Sequence, residues 1–116
     1  MHISNIVEIP DCFAVKAALS CNLMKKAELE AVEEFVLKNL KKRNVHIIFD
    51  FENVERMNST ALGNLSMIYK DIAEQKGSLY LYNVDEIARR TMEITCFTHI
   101  IKIFNTYDEV VAAIKG

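Results

Sequence analysis

Two neighbouring segments in the middle of the chain show the clearest hydrophobic patterns. Residues 45–51 (VHIIFDF) form an almost continuous run of β-branched and aromatic residues, which is typical of a central strand covered on both faces. Between residues 61 and 72, apolar residues recur every three or four positions, and polar residues fill the gaps. This spacing predicts an amphipathic helix with one buried face. With the next strand included, the residues predicted to be buried are Ile47, Phe49, Leu62, Leu65, Ile68, Leu79 and Leu81.

The stretch that joins this strand to this helix contains two adjacent hydroxyl side chains, Ser59 and Thr60. A short polar side chain at a helix start can accept a hydrogen bond from the free N–H groups of the first turn. We therefore expect Asn58 or Ser59 to cap the helix, and Gly77 to end it as the C′ residue. Capping is the commonest role of such residues, and a regulatory role is the alternative.

The same patterns predict the other elements of the chain. The turn dipeptide Pro10-Asp11 separates two short apolar runs, which indicates an opening β-hairpin. Asp85 is a predicted helix cap, and Thr106 and Glu109 have the spacing of a capping box. In chain order we predict a strand at 3–9, a strand at 12–19, a helix at 24–42, the central strand and helix, a strand at 79–84, a helix to residue 94, a strand at 100–104 and a final helix. This order predicts an α/β fold with a mixed sheet and about four helices.

Composition and charge exclude several functional classes. A length of 116 residues suits one domain with one core. The formal net charge of -2 provides no basic field for a phosphate backbone, so nucleic acid is not an expected partner. The three cysteines include no C-x-x-C pair, which argues against a disulfide framework or a zinc site. Without a long apolar run or the apolar core of a signal peptide, we expect a cytoplasmic protein that does not insert into a membrane.

The sequence offers little chemistry for an enzyme. It contains no G-x-G-x-x-G, G-x-x-x-x-G-K-[ST] or G-x-S-x-G motif, and its three histidines lack ligand-like spacing. Asp50, near a strand end, could suggest the phosphoacceptor of a receiver-type domain. Such a site needs further carboxylates near the end of an earlier strand, where this chain has Ser20, Cys21 and Asn22. We therefore interpret Asp50 as helping to terminate the strand, and we predict no catalytic residue, no metal and no cofactor.

The central strand, its acidic end and the polar joint together resemble a family signature. The phrase VHIIFDFENVERMNSTALGNL (residues 45–65) is similar to the signature of the sulfate transporter and anti-sigma factor antagonist (STAS) domain. In that signature, an apolar strand with an acid near its end is followed by Met-Asp-Ser-Ser/Thr-Gly/Ala-Leu-Gly, which opens a helix. Residues 13–23 (FAVKAALSCNL) also look like the family's second strand and following loop. The resemblance implies one STAS-like domain over residues 1–116.

The resemblance also implies a site for phosphorylation. In the antagonist branch of the family, the serine directly after the motif aspartate is phosphorylated by the partner anti-sigma factor, a serine kinase. Ser59 occupies that position here, and Thr60 matches the neighbouring hydroxyl. Asn58 replaces the motif aspartate. Cys21 and Met24 stand where many relatives have a glycine and an aspartate. The loop after the second strand usually contacts the partner, so this protein is expected to recognise a different kinase from those relatives.

The function implied by this resemblance is that of a bacterial anti-sigma factor antagonist in a partner-switching pathway that regulates transcription. The unphosphorylated protein would bind the kinase, phosphorylation of Ser59 would release it, and a phosphatase is an expected second partner. We expect a monomer or weak dimer. The main alternative is a STAS accessory or scaffold subunit, of a signalling scaffold or a lipid-transport complex, in which Ser59 is only a cap. The predicted partner-binding residues are Cys21, Asn22, Met24, Met57, Asn58, Thr60 and Asn64.

Overall fold

The chain folds into alternating strands and helices after an opening hairpin. The computed structural model describes residues 2–9, 12–18, 26–40, 45–52, 54, 59–95 and 101–115. Its elements are β1 (His2–Ile9), β2 (Cys12–Ala18), α1 (Lys26–Asn39), β3 (His46–Asp50), α2 (Ser59–Glu74), β4 (Ser78–Tyr82), α3 (Glu86–Ile94), β5 (Lys102–Phe104) and α4 (Tyr107–Lys115). The predicted order and type of the elements are confirmed. Within these ranges, no helix is both long and apolar enough to cross a bilayer.

The strands form one mixed sheet with the order β1-β2-β3-β4-β5. β1 and β2 pair antiparallel, with an irregular register between Ile3 and Ile6, and the pairs from β2 to β5 are all parallel. Each pair of parallel neighbours is joined by one helix, as expected for sequential crossover connections. The prediction of a mixed sheet that opens with a hairpin is therefore confirmed.

The larger core lies between one face of the sheet and helices α1, α2 and α3. Phe49 of β3, Leu65 of α2 and Met92 of α3 are all fully buried there. Helix α1 contributes Val32 and Phe35 to the same cluster. The seven residues predicted to be buried are buried in the structure: Ile47, Phe49, Leu62, Leu65, Ile68, Leu79 and Leu81.

The opposite face of the sheet is covered by α4. Ile48 of β3 packs there with Tyr80 and Tyr82 of β4 and with Val110 of α4. Successive side chains of a strand point to opposite faces, so β3 contributes to both cores. This double burial explains why residues 45–51 are a continuous apolar run instead of an alternating one.

Helices α3 and α4 begin with the caps that the sequence predicts. The Oδ1 atom of Asp85 accepts a hydrogen bond from the backbone N–H of Ala88 at 2.7 Å. The Oγ1 atom of Thr106 accepts from the backbone N–H of Glu109 at 3.2 Å, and Glu109 Oε1 accepts from the backbone N–H of Asn105 at 2.8 Å. Asp85 and Thr106 thus satisfy N–H groups that have no partner within the helix, whereas Glu109 reaches the N–H of Asn105, one residue before the cap, and not that of Thr106 as in a capping box.

The end of α2 differs from the sequence prediction. Lys76, and not Gly77, adopts the left-handed conformation, with φ of 60°. The backbone N–H of Lys76 donates to Ala73 O at 3.0 Å, and that of Gly77 donates to Ile72 O at 2.9 Å, which together form a Schellman motif. Gly77 is therefore the C″ residue, where a Cβ would lie 2.9 Å from Ile72 Cγ2 and 3.0 Å from Val45 O. Glycine is required here because the backbone at Val45 and the side chain of Ile72 approach closely, and not because the position has a positive φ.

Candidate functional site

The carboxyl ends of β2, β3 and β4 lie side by side at one edge of the sheet. Ala18 pairs with Asp50, and Asp50 pairs with Tyr82. The described residues that follow β3 and β4 therefore leave the sheet from a common edge. Loops at the carboxyl edge of parallel strands are held by a rigid scaffold and are common places for function.

Asp50 ties the turn after β3 to the turn after β4. Its Oδ1 atom accepts hydrogen bonds from the backbone N–H of Glu52 at 2.9 Å and from Asn83 Nδ2 at 3.0 Å. Its Oδ2 atom accepts from the hydroxyl of Tyr82 at 3.3 Å. These contacts support the interpretation of Asp50 as a residue that terminates the strand. Among the residues that the structure describes, no group of three or more histidine, cysteine, aspartate or glutamate side chains could hold a metal ion.

Backbone contacts hold the beginning of the connection from β3 to α2. The N–H of Phe51 donates to Tyr82 O at 2.9 Å, and the N–H of Val54 donates to Phe51 O at 3.1 Å. Val54 is also buried in the larger core. The path that leads toward Ser59 is therefore anchored at its first residues by hydrogen bonds and by apolar packing.

Lys16 and two tyrosine rings pack beside the Asp50 contacts. The ammonium nitrogen of Lys16 lies 4.6 Å from the ring centroid of Tyr107 and 5.6 Å from that of Tyr82, within the range of a cation–π interaction. Burial raises the pKa of Tyr82 well above its usual value, and the charge and hydrogen bond of Asp50 raise it further. Burial also raises the pKa of Tyr107. Both hydroxyls stay protonated near neutral pH, so neither is suited to act as a base.

The residues proposed for phosphorylation lie at the start of α2. Ser59 is the first residue of this helix and Thr60 the second. The side chain of Thr60 is exposed, and Asn64 lies one turn further along and is half-buried. The structure thus brings Ser59, Thr60 and Asn64 together on the first turns of one helix. The other predicted partner-binding residues lie outside the described ranges: Cys21, Asn22, Met24, Met57 and Asn58.

The first turn of α2 differs in charge from those of α3 and α4. Helix α3 follows the Asp85 cap and begins with Glu86, and α4 has Asp108 and Glu109 in its first turn. Helix α2 has no acidic residue in its first turn. The positive end of its dipole at Ser59 is therefore not offset by a carboxylate of that turn. Such an end of a helix is a favourable place for an added anionic group.

Two exposed residues of α2, Gly63 and Met67, were not among the predicted partner-binding residues, although Gly63 is the last residue of the STAS signature. Gly63 follows Thr60 by three residues, and Met67 follows Gly63 by four, so the three residues share an exposed face. Met67 is 64% exposed. A Cβ on Gly63 would meet no atom of the described residues within 4 Å, and its φ is not positive. Glycine in a helix costs about 1 kcal/mol relative to alanine, and no atom of the described residues accounts for it at this position. A helical projection opposite the buried stripe would have revealed this face.

Comparison with known proteins identifies the family. The sequence model of the STAS domain matches residues 12–110, which include β2, the site edge and all of α2. The chain belongs to the STAS domain family. The resemblance inferred from residues 45–65 and 13–23 is thereby confirmed.

Solved structures of anti-sigma factor antagonists share this fold. A candidate anti-sigma factor antagonist of Thermotoga maritima has a TM-score of 0.77 at 23% identity, and the match covers 97% of this chain and 94% of that chain. An anti-sigma factor antagonist (STAS) domain protein of Planctomyces limnophilus has a TM-score of 0.70 at 16% identity, with 100% of both chains covered. The anti-sigma factor antagonist SpoIIAA in its unphosphorylated form has a TM-score of 0.69 at 18% identity, with 97% of each chain covered. At these identities, the likeness shows a common fold.

Proposed function

We propose that this STAS protein is a non-enzymatic anti-sigma factor antagonist in a partner-switching pathway, with Ser59 as its switch. The unphosphorylated protein binds an anti-sigma factor serine kinase, phosphorylation releases the kinase, and a phosphatase restores binding. The observation that carries the proposal is the position of Ser59 as the first residue of α2, on a turn without a carboxylate. The likeness in fold to SpoIIAA and to the other antagonists supports the same class of function.

The fold should tolerate phosphate on Ser59. A phosphoryl group adds about -1.5 to -2 charge at neutral pH. At the start of α2, this charge meets N–H groups that have no partner within the helix and the positive end of the helix dipole. The phosphorylated protein is therefore expected to remain folded, so that the switch acts on binding and not on folding.

The effect on binding should be large. A partner surface that fits a neutral hydroxyl must desolvate the added dianion, and an unpaired charge at an interface could cost several kcal/mol. Since 1.4 kcal/mol corresponds to a factor of ten, we expect a loss of affinity on the order of a hundredfold or more. In this proposal, Thr60 and Asn64 contact the kinase, together with Cys21, Asn22, Met24, Met57 and Asn58 from the connections at the same edge.

The partner can be identified by capture of the tagged protein from its native cell. Recovery of a kinase-type ATPase supports the antagonist function, whereas recovery of transporter or scaffold subunits favours the accessory STAS subunit. The purified kinase should then bind Ser59→Ala at least as tightly as wild type and bind Ser59→Asp much more weakly. Thr60→Ala is the matched control, because it removes the neighbouring hydroxyl and should still accept phosphate. Equal affinity of Ser59→Asp and wild type would refute the switch.

A second set of variants tests the partner surface itself. Asn64 is half-buried on the second turn of α2, close in sequence to the proposed switch. Asn64→Arg should weaken kinase binding by more than its change in the free energy of unfolding explains, which is measured on the same variant. If binding survives this change and a charged substitution of Thr60, the interface lies on another part of the molecule.

A further inference from the structure

Helix α3 exposes two large apolar side chains on one side. Ile87 is 80% exposed and Ile94 is 76% exposed. They are seven residues apart, which is close to two turns of a helix, and Thr91 lies between them on the same side. Single exposed apolar residues are common on protein surfaces, but two on one short helix form a patch. We call Ile87, Thr91 and Ile94 the α3 stripe.

The hydroxyl groups along the α3 stripe already have partners within the helix. Thr91 Oγ1 donates a hydrogen bond to Ile87 O at 3.0 Å. At the end of the helix, Thr95 Oγ1 donates to Thr91 O at 3.0 Å. Because both hydroxyl protons are used inside the chain, the stripe presents apolar surface and no free hydroxyl donor. Its chemistry suits an apolar protein surface and not a small polar ligand.

Charged residues flank the α3 stripe. Arg90 Nη2 lies 3.6 Å from Glu86 Oε1, and these two side chains are 72% and 88% exposed. Glu93 is also exposed and follows Arg90 by three residues. On the neighbouring helix α2, Asp71 lines a groove beside α1, so the exposed Lys70 lies nearer to α3. The surroundings of the stripe thus carry both signs of charge, and a partner must offer both signs in return.

A second copy of the chain meets this requirement. When two α3 helices pack antiparallel about a two-fold axis between Arg90 and Thr91, Ile87 of each copy lies opposite Ile94 of the other, because both isoleucines are equally far from the axis. The two-fold axis keeps the charged flanks on one side and brings Arg90 of each copy within about 3 Å of Glu93 of the other along the helix direction. The two arginines also meet near the axis, where the carboxylates of Glu86 and Glu93 from both copies surround them. A parallel arrangement would instead place every charge opposite an identical one.

We propose that the α3 stripe is the contact surface of a homodimer, in which α3 packs antiparallel on α3 of a second copy. The dimer is weak, because α3 has nine residues and a length of about 13 Å, too little to bury the roughly 800 Å² per partner that is usual in a stable interface. We expect a dissociation constant on the order of 0.1 mM. This surface is separate from the start of α2, and the proposal does not depend on the proposed function.

Sedimentation equilibrium of the purified chain, from about 10 μM to about 1 mM, measures this association. Ile87→Lys places a charge in the apolar contact and should weaken association about tenfold or more. Its melting temperature should stay within about 3 °C of wild type, because a side chain that is 80% exposed contributes little to the monomer. Leu37→Lys is the matched control, since Leu37 is a 58% exposed aliphatic residue on α1. It should leave association unchanged.

Charge exchange tests the antiparallel arrangement. Arg90→Glu should weaken association about tenfold, because it adds a carboxylate beside those of Glu86 and Glu93. Glu93→Arg in the same chain should restore association, since it regenerates the opposite charges between the two copies. A double variant that associates no better than Arg90→Glu would overturn the antiparallel contact.

Three other results would overturn the inference. The first is a wild-type chain that stays monomeric at about 1 mM, and the second is equal association of Ile87→Lys and wild type. Residues 55–58 and 96–100 lie outside the described ranges, so the third result concerns cover by the same chain. A fall of more than about 5 °C in the melting temperature of Ile87→Lys would show such cover. If the wild type is monomeric and Ile87→Lys loses kinase binding, the stripe belongs to the kinase interface instead.

Discussion

Leu65→Ala tests the orientation of α2, on which the whole site depends. Leu65 is fully buried in the larger core. Its position in the helix places Thr60, Gly63 and Met67 on the opposite, exposed side. If Leu65 were exposed, the outward face proposed for partner binding would be turned into the core.

The magnitude of the Leu65→Ala effect follows from its burial. Removal of a fully buried leucine side chain forfeits its transfer free energy and leaves a cavity that relaxes only in part, at a cost of about 2 to 5 kcal/mol. A domain of this size typically has a free energy of unfolding of about 5 to 15 kcal/mol. The melting temperature should therefore fall by roughly 8 to 20 °C.

Urea unfolding followed by circular dichroism measures this change in the free energy of unfolding. Leu37→Ala is the matched control, because Leu37 is a leucine on a neighbouring helix that is 58% exposed. The control should change stability by no more than about 0.5 kcal/mol. A change of that small size for Leu65→Ala would refute the assigned helix orientation and, with it, the exposed face.

Three further predictions concern the edge of the sheet and the helix caps. Asp50→Ala leaves the Tyr82 hydroxyl and the Asn83 amide without their acceptor, so the free energy of unfolding measured in urea should fall by about 1 to 3 kcal/mol. A loss below about 0.5 kcal/mol would show that water replaces the carboxylate. Because the folded pKa of Tyr82 is raised, stability should be retained below the unfolded value of about 10 and should fall as pH rises above it. Tyr82→Phe should flatten this alkaline loss in thermal melts, and an unchanged slope would contradict the assignment. Asp85→Ala removes the cap of α3 and should cost about 1 kcal/mol, with faster hydrogen exchange at the Ala88 N–H; unchanged exchange would argue against the cap.

Local patterns in the sequence carry most of the information about the fold. The apolar run at 45–51 predicts a doubly buried strand because β3 contributes side chains to two cores. The spacing of apolar residues from 61 to 72 fixes the buried face of α2, and Asp85 marks the start of α3 by its side-chain chemistry. These features depend on neighbours in the sequence, so they can be predicted without a structure.

Features that depend on contacts between distant segments could not be predicted in the same way. Asn83 reaches Asp50 from the turn after another strand, and no local pattern indicates this pairing. Gly77 was expected to supply a positive φ, but its role depends on how closely Val45 O approaches.

The most direct test of the central claim is to compare the affinities of the unphosphorylated and phosphorylated protein for the purified kinase. The protein is incubated with kinase and ATP, the phosphate is located by mass spectrometry, and both forms are titrated. We expect phosphate on Ser59 and an affinity lower by about a hundredfold or more, with the fold retained. Phosphate found only on Thr60, or equal affinity of the two forms, would contradict the assignment of Ser59 as the switch.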